Sequence, residues 1–192
     1  MRNVLIVGAA GTIARKVIQE LAEDDTVHLT LFVRRASRLQ GMPRTNCAVV
    51  EGDALKQEDL IRAVTGKDMV YVNLAGDLER MMKNIVAAMQ ANDVRRIIFI
   101  SSIGIYETPL RPVLIPYRKG ADVLESSGLD YTIIRPTWFT TVEEVDYELT
   151  KKGEPERGSV ISQRSLASFI AAIIRSPEKH VRENLGINKP DA

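Results

Sequence analysis

The sequence predicts an α/β fold built on a doubly wound parallel sheet with strand order 3-2-1-4-5-6. Short β-branched runs alternate with longer amphipathic stretches, which indicates repeated β–α units. The runs are apolar along both faces, as parallel strands covered by helices on each side are. Because crossovers between parallel strands are right-handed, few topologies remain, and this order is the natural one.

The first half of the chain supplies three strands and two helices. Apolar, β-branched runs predict strands over residues 3–7, 27–33 and 47–51. Helices are predicted over residues 12–23 and 57–64. The first helix carries Ile13, Val17, Ile18 and Leu21 at helical spacing, so one of its faces is expected to pack on the sheet.

The second half of the chain continues the alternation of strands and helices and then departs from it. Strands are predicted over residues 69–73, 96–101 and 129–134, with helices over 78–90 and from near Pro116 to Ser126. Proline is well tolerated in a first helical turn, which supports that start. Residues 147–150 and 159–162, around the turn 152–155, predict a small C-terminal hairpin, and a helix follows over 164–175.

Length and composition predict one globular domain spanning residues 1–192, with 45% hydrophobic and 27% charged residues. The net charge of +1 and the lack of a basic run argue against nucleic acid as a partner. Cys47 is the single cysteine, expected in a buried strand, so neither a disulfide nor a cysteine-rich metal site is predicted. The apolar stretches are too short for a signal peptide or a membrane span, so a cytoplasmic protein without a membrane partner is expected.

A glycine-rich loop carries the strongest chemical signal. Gly8-Ala9-Ala10-Gly11-Thr12-Ile13-Ala14 directly follows the first strand and opens the first helix. Gly8 permits a tight turn, Gly11 lets the backbone approach a pyrophosphate, and Ala14 keeps the helix close to the sheet. The free N–H groups of the helix N-terminus attract phosphate. The fold is therefore predicted to be Rossmann-type and to bind a dinucleotide.

The residues that follow the next strands indicate which dinucleotide is bound. An NAD site places an acidic residue at the end of the second strand, whereas this chain has Arg34 and Arg35 there, with Arg38 nearby. Guanidinium groups suit the 2′-phosphate of NADP(H), which we expect as the cofactor over NAD(H). Asp53 follows the third strand, where its carboxylate can accept from the adenine amino group, and small residues follow the fourth strand at 73–76.

Together these residues resemble the short-chain dehydrogenase/reductase superfamily, specifically its atypical NmrA-like and flavin-reductase-like members. The resemblance also includes Ser101-Ser102 and the segment Ser127-Gly128-Leu129-Asp130-Tyr131-Thr132-Ile133-Ile134-Arg135-Pro136. It implies cofactor contacts at Gly8, Gly11, Thr12, Ile13, Arg34, Arg35, Asp53, Ala54, Leu74, Ala75 and Ser101. It places the nicotinamide near Ser101, Ser102 and Pro136, and a small-molecule substrate between that ring and the segments 104–112 and 137–141. Residues 137–165 are expected to contribute to the substrate side.

The catalytic residues depart from the superfamily pattern, in which a tyrosine acid precedes a lysine by four residues. Here Tyr117-Arg118-Lys119 stands at that place, and a spacing of two puts the side chains on opposite helix faces. Tyr117 aligns with the usual lysine position. Tyr147 and Lys151 have the right spacing but lie in the predicted hairpin. The catalytic candidates are therefore Ser101 or Ser102, which would polarise the acceptor, and Tyr106 or Tyr117, which would assist.

Three functions remain open. The first is an NADPH-dependent reductase that passes hydride to an electron-poor acceptor such as a flavin, a quinone or a conjugated carbonyl, for which no tyrosine acid is needed. Trp138 and Phe139 would either form an apolar wall for a planar substrate or close the core. The second is a non-catalytic redox sensor that acts through a protein partner. The third is a nucleotide-sugar epimerase or dehydratase, which the altered tyrosine and lysine disfavour.

Overall fold

A computed structural model describes residues 1–43 and 46–190 of the chain. Its central feature is an eight-stranded sheet of order β3-β2-β1-β4-β5-β6-β10-β8. Its strands are β1 (Arg2–Val7), β2 (Val27–Val33), β3 (Cys47–Glu51), β4 (Met69–Val72), β5 (Arg96–Ile100), β6 (Asp130–Pro136), β8 (Glu148–Lys151) and β10 (Glu183–Asn188). A separate two-stranded sheet pairs β7 (Trp138–Thr140) with β9 (Val160–Ser162). The predicted order 3-2-1-4-5-6 is confirmed for the first six strands.

In the described part of the chain, five α-helices cover the two faces of the large sheet. They are α1 (Thr12–Leu21), α2 (Gln57–Val64), α3 (Leu78–Ala91), α4 (Ile115–Glu125) and α5 (Gln163–Arg175). Strand β1 shows how the faces divide: Val4 and Ile6 join the core with α1 and α5, whereas Leu5 and Val7 join the core with α2, α3 and α4. Alternate residues of a strand point to opposite faces, so a strand that is apolar throughout requires helices on both sides.

The C-terminal region contains an antiparallel strand pair and a helix, as predicted, but the two strands that pair are not those of the predicted hairpin. Strand β8 pairs antiparallel with β10, which itself lies parallel to β6. Strand β9 instead pairs parallel with β7. Residues 147–150 and 159–162 therefore do not pair with each other, because each finds a partner elsewhere in the chain.

Cys47 was expected in a buried strand, and this expectation is wrong. Strand β3 is an edge strand of the sheet, so its residues are only partly covered, and Cys47 is half-buried. Within residues 1–43 and 46–190, no helix combines the length and apolar character needed to cross a bilayer.

Candidate functional site

A cleft of about 650 Å³ opens at the carboxyl edge of the parallel strands. The loops that follow β1, β2, β3, β4 and β5 all contribute to its wall, together with α4 and the region after β6. Ligands of open α/β sheets bind at this edge, in the crevice where the strand order reverses between β1 and β4. The fold thus brings most of the predicted site residues to one place.

The loop after β1 has little room for side chains. Gly8 has φ +85°, and a Cβ there would lie 2.1 Å from the Asn73 carbonyl oxygen. A Cβ on Gly11 would lie 2.5 Å from Asn73 Nδ2. Gly11 is also the N-cap of α1, and no side chain caps the helix there. The first N–H groups of α1 are therefore left free for a ligand at Thr12 and Ile13, which both line the cleft.

The end of β2 separates the two predicted arginines. Arg34 and Arg38 line the cleft, whereas Arg35 lies outside it. Successive side chains of an extended segment point to opposite sides, and Arg35 still has extended backbone, with φ −149° and ψ 120°. Arg15 donates to the carbonyl groups of both Ala10 and Arg38, so it joins the glycine loop to the arginine-bearing turn.

The loops after β3 and β4 form the middle of the wall, where Asp53, Ala54, Leu74 and Ala75 line the cleft. The Asp53 Oδ1 accepts from the Leu55 amide at 3.0 Å, which shapes its loop but leaves the second carboxylate oxygen available. Across the loop, the Asn84 Nδ2 of α3 donates to the Ala54 carbonyl at 3.1 Å.

The far end of the cleft combines polar and apolar groups. Ser101 and Tyr117 line it, and the Ser101 hydroxyl donates to the Tyr117 carbonyl at 3.4 Å. Phe139 and Gln163 line it as well. The sequence indicates Phe139 as a candidate for an apolar wall of the substrate site, whereas nothing in the sequence indicates Gln163 as a site residue. It reaches the cleft because the chain returns through β9, so that α5 begins there.

Ser102, Tyr106 and Pro136 do not line the cleft. The Ser102 hydroxyl donates to the carbonyl of Ile103, and the Pro136 carbonyl accepts from the Ile103 amide, so both are engaged at the exit from β5. Pro136 itself is buried in β6. The nicotinamide is expected near Ser102 and Pro136, and Tyr106 is a candidate to assist the reaction, but the positions of these residues outside the cleft lining do not support either expectation.

Tyr106 faces the last strands of the sheet instead. The Asn184 Nδ2 donates to its hydroxyl at 2.7 Å, and the Lys152 ammonium lies 4.6 Å from its ring centroid. Burial, followed by the nearby Glu125 carboxylate, raises the pKa of Tyr106 above its usual value. A group held in this way is a poor candidate for proton donation in the cleft.

Two other sequence features have structural roles. The Tyr147 ring packs 5.2 Å from that of Phe169, while Lys151 pairs with Glu183 at 3.9 Å, so these two residues do not form an acid–lysine pair in the cleft. In the described part of the chain, no group of three or more histidine, cysteine or acidic side chains is arranged to hold a metal ion.

Comparison with known proteins connects this geometry to a family. A family model described as NAD(P)H-binding matches residues 8–177. A Rossmann-fold NAD(P)-binding family protein from Shigella flexneri superimposes with a TM-score of 0.92 at 46% identity, covering 100% of this chain and 95% of that chain. A short-chain dehydrogenase/reductase from Veillonella parvula, solved in complex with NADP, gives a TM-score of 0.85 at 27% identity, covering 98% and 95%.

Two curated relatives match over shorter segments. A (4-alkanoyl-5-oxo-2,5-dihydrofuran-3-yl)methyl phosphate reductase from Streptomyces griseus is 28% identical over 137 residues, covering 71% of this chain and 48% of that protein. The photosystem II assembly factor Ycf39 from Cyanophora paradoxa is 23% identical over 147 residues, covering 71% and 46%. The chain therefore spans about half the length of these two relatives.

Proposed function

The chain belongs to the NAD(P)H-binding family whose model it matches, and we propose that it is an NADPH-dependent reductase acting on a small electron-poor acceptor. The acceptor class is that of a flavin, a quinone or a conjugated carbonyl. When bound, the cofactor supplies the hydride from its nicotinamide ring. The residues of this chain supply binding and orientation, and both can contribute several kcal/mol to the rate.

The arginine-lined end of the cleft supports NADPH over NADH. Arg34 and Arg38 both line the cleft beyond the end of β2, where the 2′-phosphate of the adenosine ribose is bound in this fold. Among the described residues, the segment after β2 contributes no acidic side chain to the cleft, and Glu51, at the end of β3, accepts from the Ala36 amide. The glycine loop and the N-terminus of α1 then face the pyrophosphate, and Asp53 is available to the adenine.

At the end of the cleft that contains Ser101 and Tyr117, one observation favours hydride transfer to a conjugated acceptor. Tyr117 lines the cleft, but the position one helical turn later is Ala121, which is fully buried. The lysine that accompanies a tyrosine acid in proton transfer to a simple carbonyl is therefore missing from that position. A flavin or quinone needs no such acid. Phe139 offers an apolar surface to a planar ring, and Ser101 lines the same end of the cleft, where its hydroxyl would donate to an acceptor only by leaving the Tyr117 carbonyl.

A second candidate, a non-catalytic sensor, is favoured by exposed apolar side chains near the cleft. Trp138 is 71% exposed and Val142 is 55% exposed, and Phe139 between them is also exposed. Val160 lies opposite Trp138 in the β7–β9 pair and is exposed too. Such a surface suits a protein partner, and one relative is an assembly factor by name. The nucleotide-sugar epimerase stays the least favoured alternative, since the tyrosine and lysine spacing that such enzymes require is altered here.

A two-step experiment tests the proposal. The purified protein is first titrated with NADPH and with NADH, and NADPH oxidation is then followed with a panel of flavins, quinones and enones. Tight NADPH binding with turnover of at least one acceptor is the expected result. Tight binding without turnover across the panel contradicts the reductase and favours the sensor, whereas failure to bind either cofactor contradicts both.

A further inference from the structure

Arg135 is a buried cation at the end of β6 with one anionic partner. Its side chain is 2% exposed, and its Nη1 donates to Glu156 Oε1 at 2.7 Å. Within the described residues, its Nε and Nη2 are buried without a hydrogen-bond partner. Burying a guanidinium is costly unless an anion is close, so this ion pair holds Glu156, and the loop between β8 and β9 that carries it, firmly against β6.

The second oxygen of Glu156 holds a different segment. Gly104 donates its backbone N–H to Glu156 Oε2 at 2.9 Å. As the chain leaves β5, the Ser101 amide donates to the Ile134 carbonyl at 2.8 Å, and the Ile103 amide donates to the Pro136 carbonyl at 3.1 Å. Strand β6 ends at Pro136, and the Glu156 carboxylate holds the next residue of this segment, Gly104, from the side of the β8–β9 loop.

We propose that Glu156 is a positioning residue for the acceptor end of the cleft. By accepting from Gly104 while anchored to Arg135, it fixes the segment that follows Ser101, a residue of the cleft wall. Glu156 itself is not among the cleft-lining residues. The effect expected on turnover rests on the proposed reductase function, whereas the effect on the 101–107 backbone does not.

The first test replaces Glu156→Gln and compares it with Glu154→Gln. Glu154 is an exposed carboxylate on the same loop and accepts from the Lys151 amide at 2.9 Å. Since small displacements of a reacting group are costly, we expect Glu156→Gln to lower acceptor turnover about tenfold, with the NADPH Kd within about twofold of wild type. Backbone amide exchange in the 101–107 peptide should become about tenfold faster, because its local opening becomes easier. Glu154→Gln should change none of these quantities.

A second variant separates positioning from mere neutralisation of Arg135. In Arg135→Met/Glu156→Leu the buried charge and its partner are both removed, a change that is often neutral for stability. If Glu156 positions the segment, exchange in 101–107 stays fast and acceptor turnover stays low even though global stability recovers. Wild-type exchange in this double variant overturns the proposal. If the wild-type protein turns over no acceptor, the reductase proposal fails, and the exchange comparison still decides the role of Glu156.

Discussion

Gly8 and Asn73 approach so closely that a Cβ on Gly8 would stand 2.1 Å from the Asn73 carbonyl oxygen. The contact joins the loops after β1 and β4, the two strands that flank the point where the strand order reverses. It also explains why the first glycine of the motif is required here: the backbone adopts φ +85°, and no side chain fits between the two loops.

We therefore expect Gly8→Ala to reduce the free energy of unfolding by at least about 3 kcal/mol, because the clash is with backbone and the conformation is strained. The matched control is Gly66→Ala, which has φ +71° but nothing within 4 Å of the added methyl group. Its cost should be about 1–2 kcal/mol, from the left-handed backbone alone. Urea unfolding of both variants measures the difference, and equal losses would show that the contact with Asn73 is not limiting.

The two arginines after β2 should differ in their effect on cofactor affinity. Arg34 lines the cleft and Arg35 does not. A charge-assisted hydrogen bond to phosphate contributes about 1.5–3 kcal/mol, so Arg34→Ala should weaken NADPH binding about tenfold to a hundredfold and leave NADH binding nearly unchanged. Arg35→Ala should change either affinity by less than about threefold.

Fluorescence titration of both variants with both cofactors gives the four affinities. A parallel loss of NADPH and NADH affinity in Arg34→Ala would contradict a 2′-phosphate contact. A larger effect of Arg35→Ala than of Arg34→Ala would show that the turn after β2 rearranges when the cofactor binds.

The sequence was sufficient to predict the regularly alternating strands and helices up to β6, but not β10, which is the last strand along the chain. Strand β10 has the sequence Glu183-Asn184-Leu185-Gly186-Ile187-Asn188, with a glycine and two asparagines, residues that are depleted in strands. The asparagines are tolerated because tertiary partners accept from their Nδ2 groups: Asn184 donates to Tyr106 and Glu125, and Asn188 donates to Glu148. No local pattern contains that information.

The site residues divide in the same way into those that a local sequence pattern predicts and those that depend on tertiary contacts. Gly8, Gly11, Arg34 and Asp53 occupy strand ends, which a parallel sheet brings to one edge, so their placement in the cleft followed from the sequence pattern. Gln163 and Tyr106 depend on the path of the chain after β6 and β5. Tyr106 is close to Ser101 in sequence, but its hydroxyl is held by Asn184, 78 residues further on, which draws it away from the cleft.

Tyr117 and Tyr106 should accordingly respond differently to loss of the hydroxyl group. Tyr117 lines the cleft, and the position one helical turn later is Ala121 and not a lysine. We expect Tyr117→Phe to lower turnover by about tenfold at most, the value of one hydrogen bond. A general acid would contribute about a hundredfold or more, and a loss of that size would contradict the proposed mechanism.

Tyr106→Phe provides the comparison. It keeps the ring near Lys152 and removes the acceptor for Asn184 Nδ2. We expect turnover within about twofold of wild type and a loss of about 1 kcal/mol in the free energy of unfolding. Steady-state kinetics and thermal unfolding of the two variants measure these effects side by side.

The pH dependence of stability should contain a contribution from Asp24, at the end of α1. Hydrogen bonds from the Thr26 hydroxyl and from the Arg175 guanidinium lower the pKa of the Asp24 carboxyl to about 2. In the unfolded chain an aspartate has a pKa of about 3.9. Because the folded value is the lower one, this carboxylate stabilises the fold above about pH 4, and its contribution is lost as the pH falls towards 2.

Asp24→Asn should therefore lower the midpoint of thermal unfolding at pH 7, and the gap from wild type should close between about pH 4 and pH 2. Asp25→Asn is the matched control, since within the described residues the side-chain hydrogen bond of this neighbouring carboxylate is a long one, 3.5 Å from Asn46 Nδ2. The control should follow the wild-type curve across this range. A gap between Asp24→Asn and wild type that stays constant down to pH 2 would mean that the stabilisation comes from the shape of the turn joining α1 to β2, which asparagine would alter at every pH, and not from the charge on Asp24.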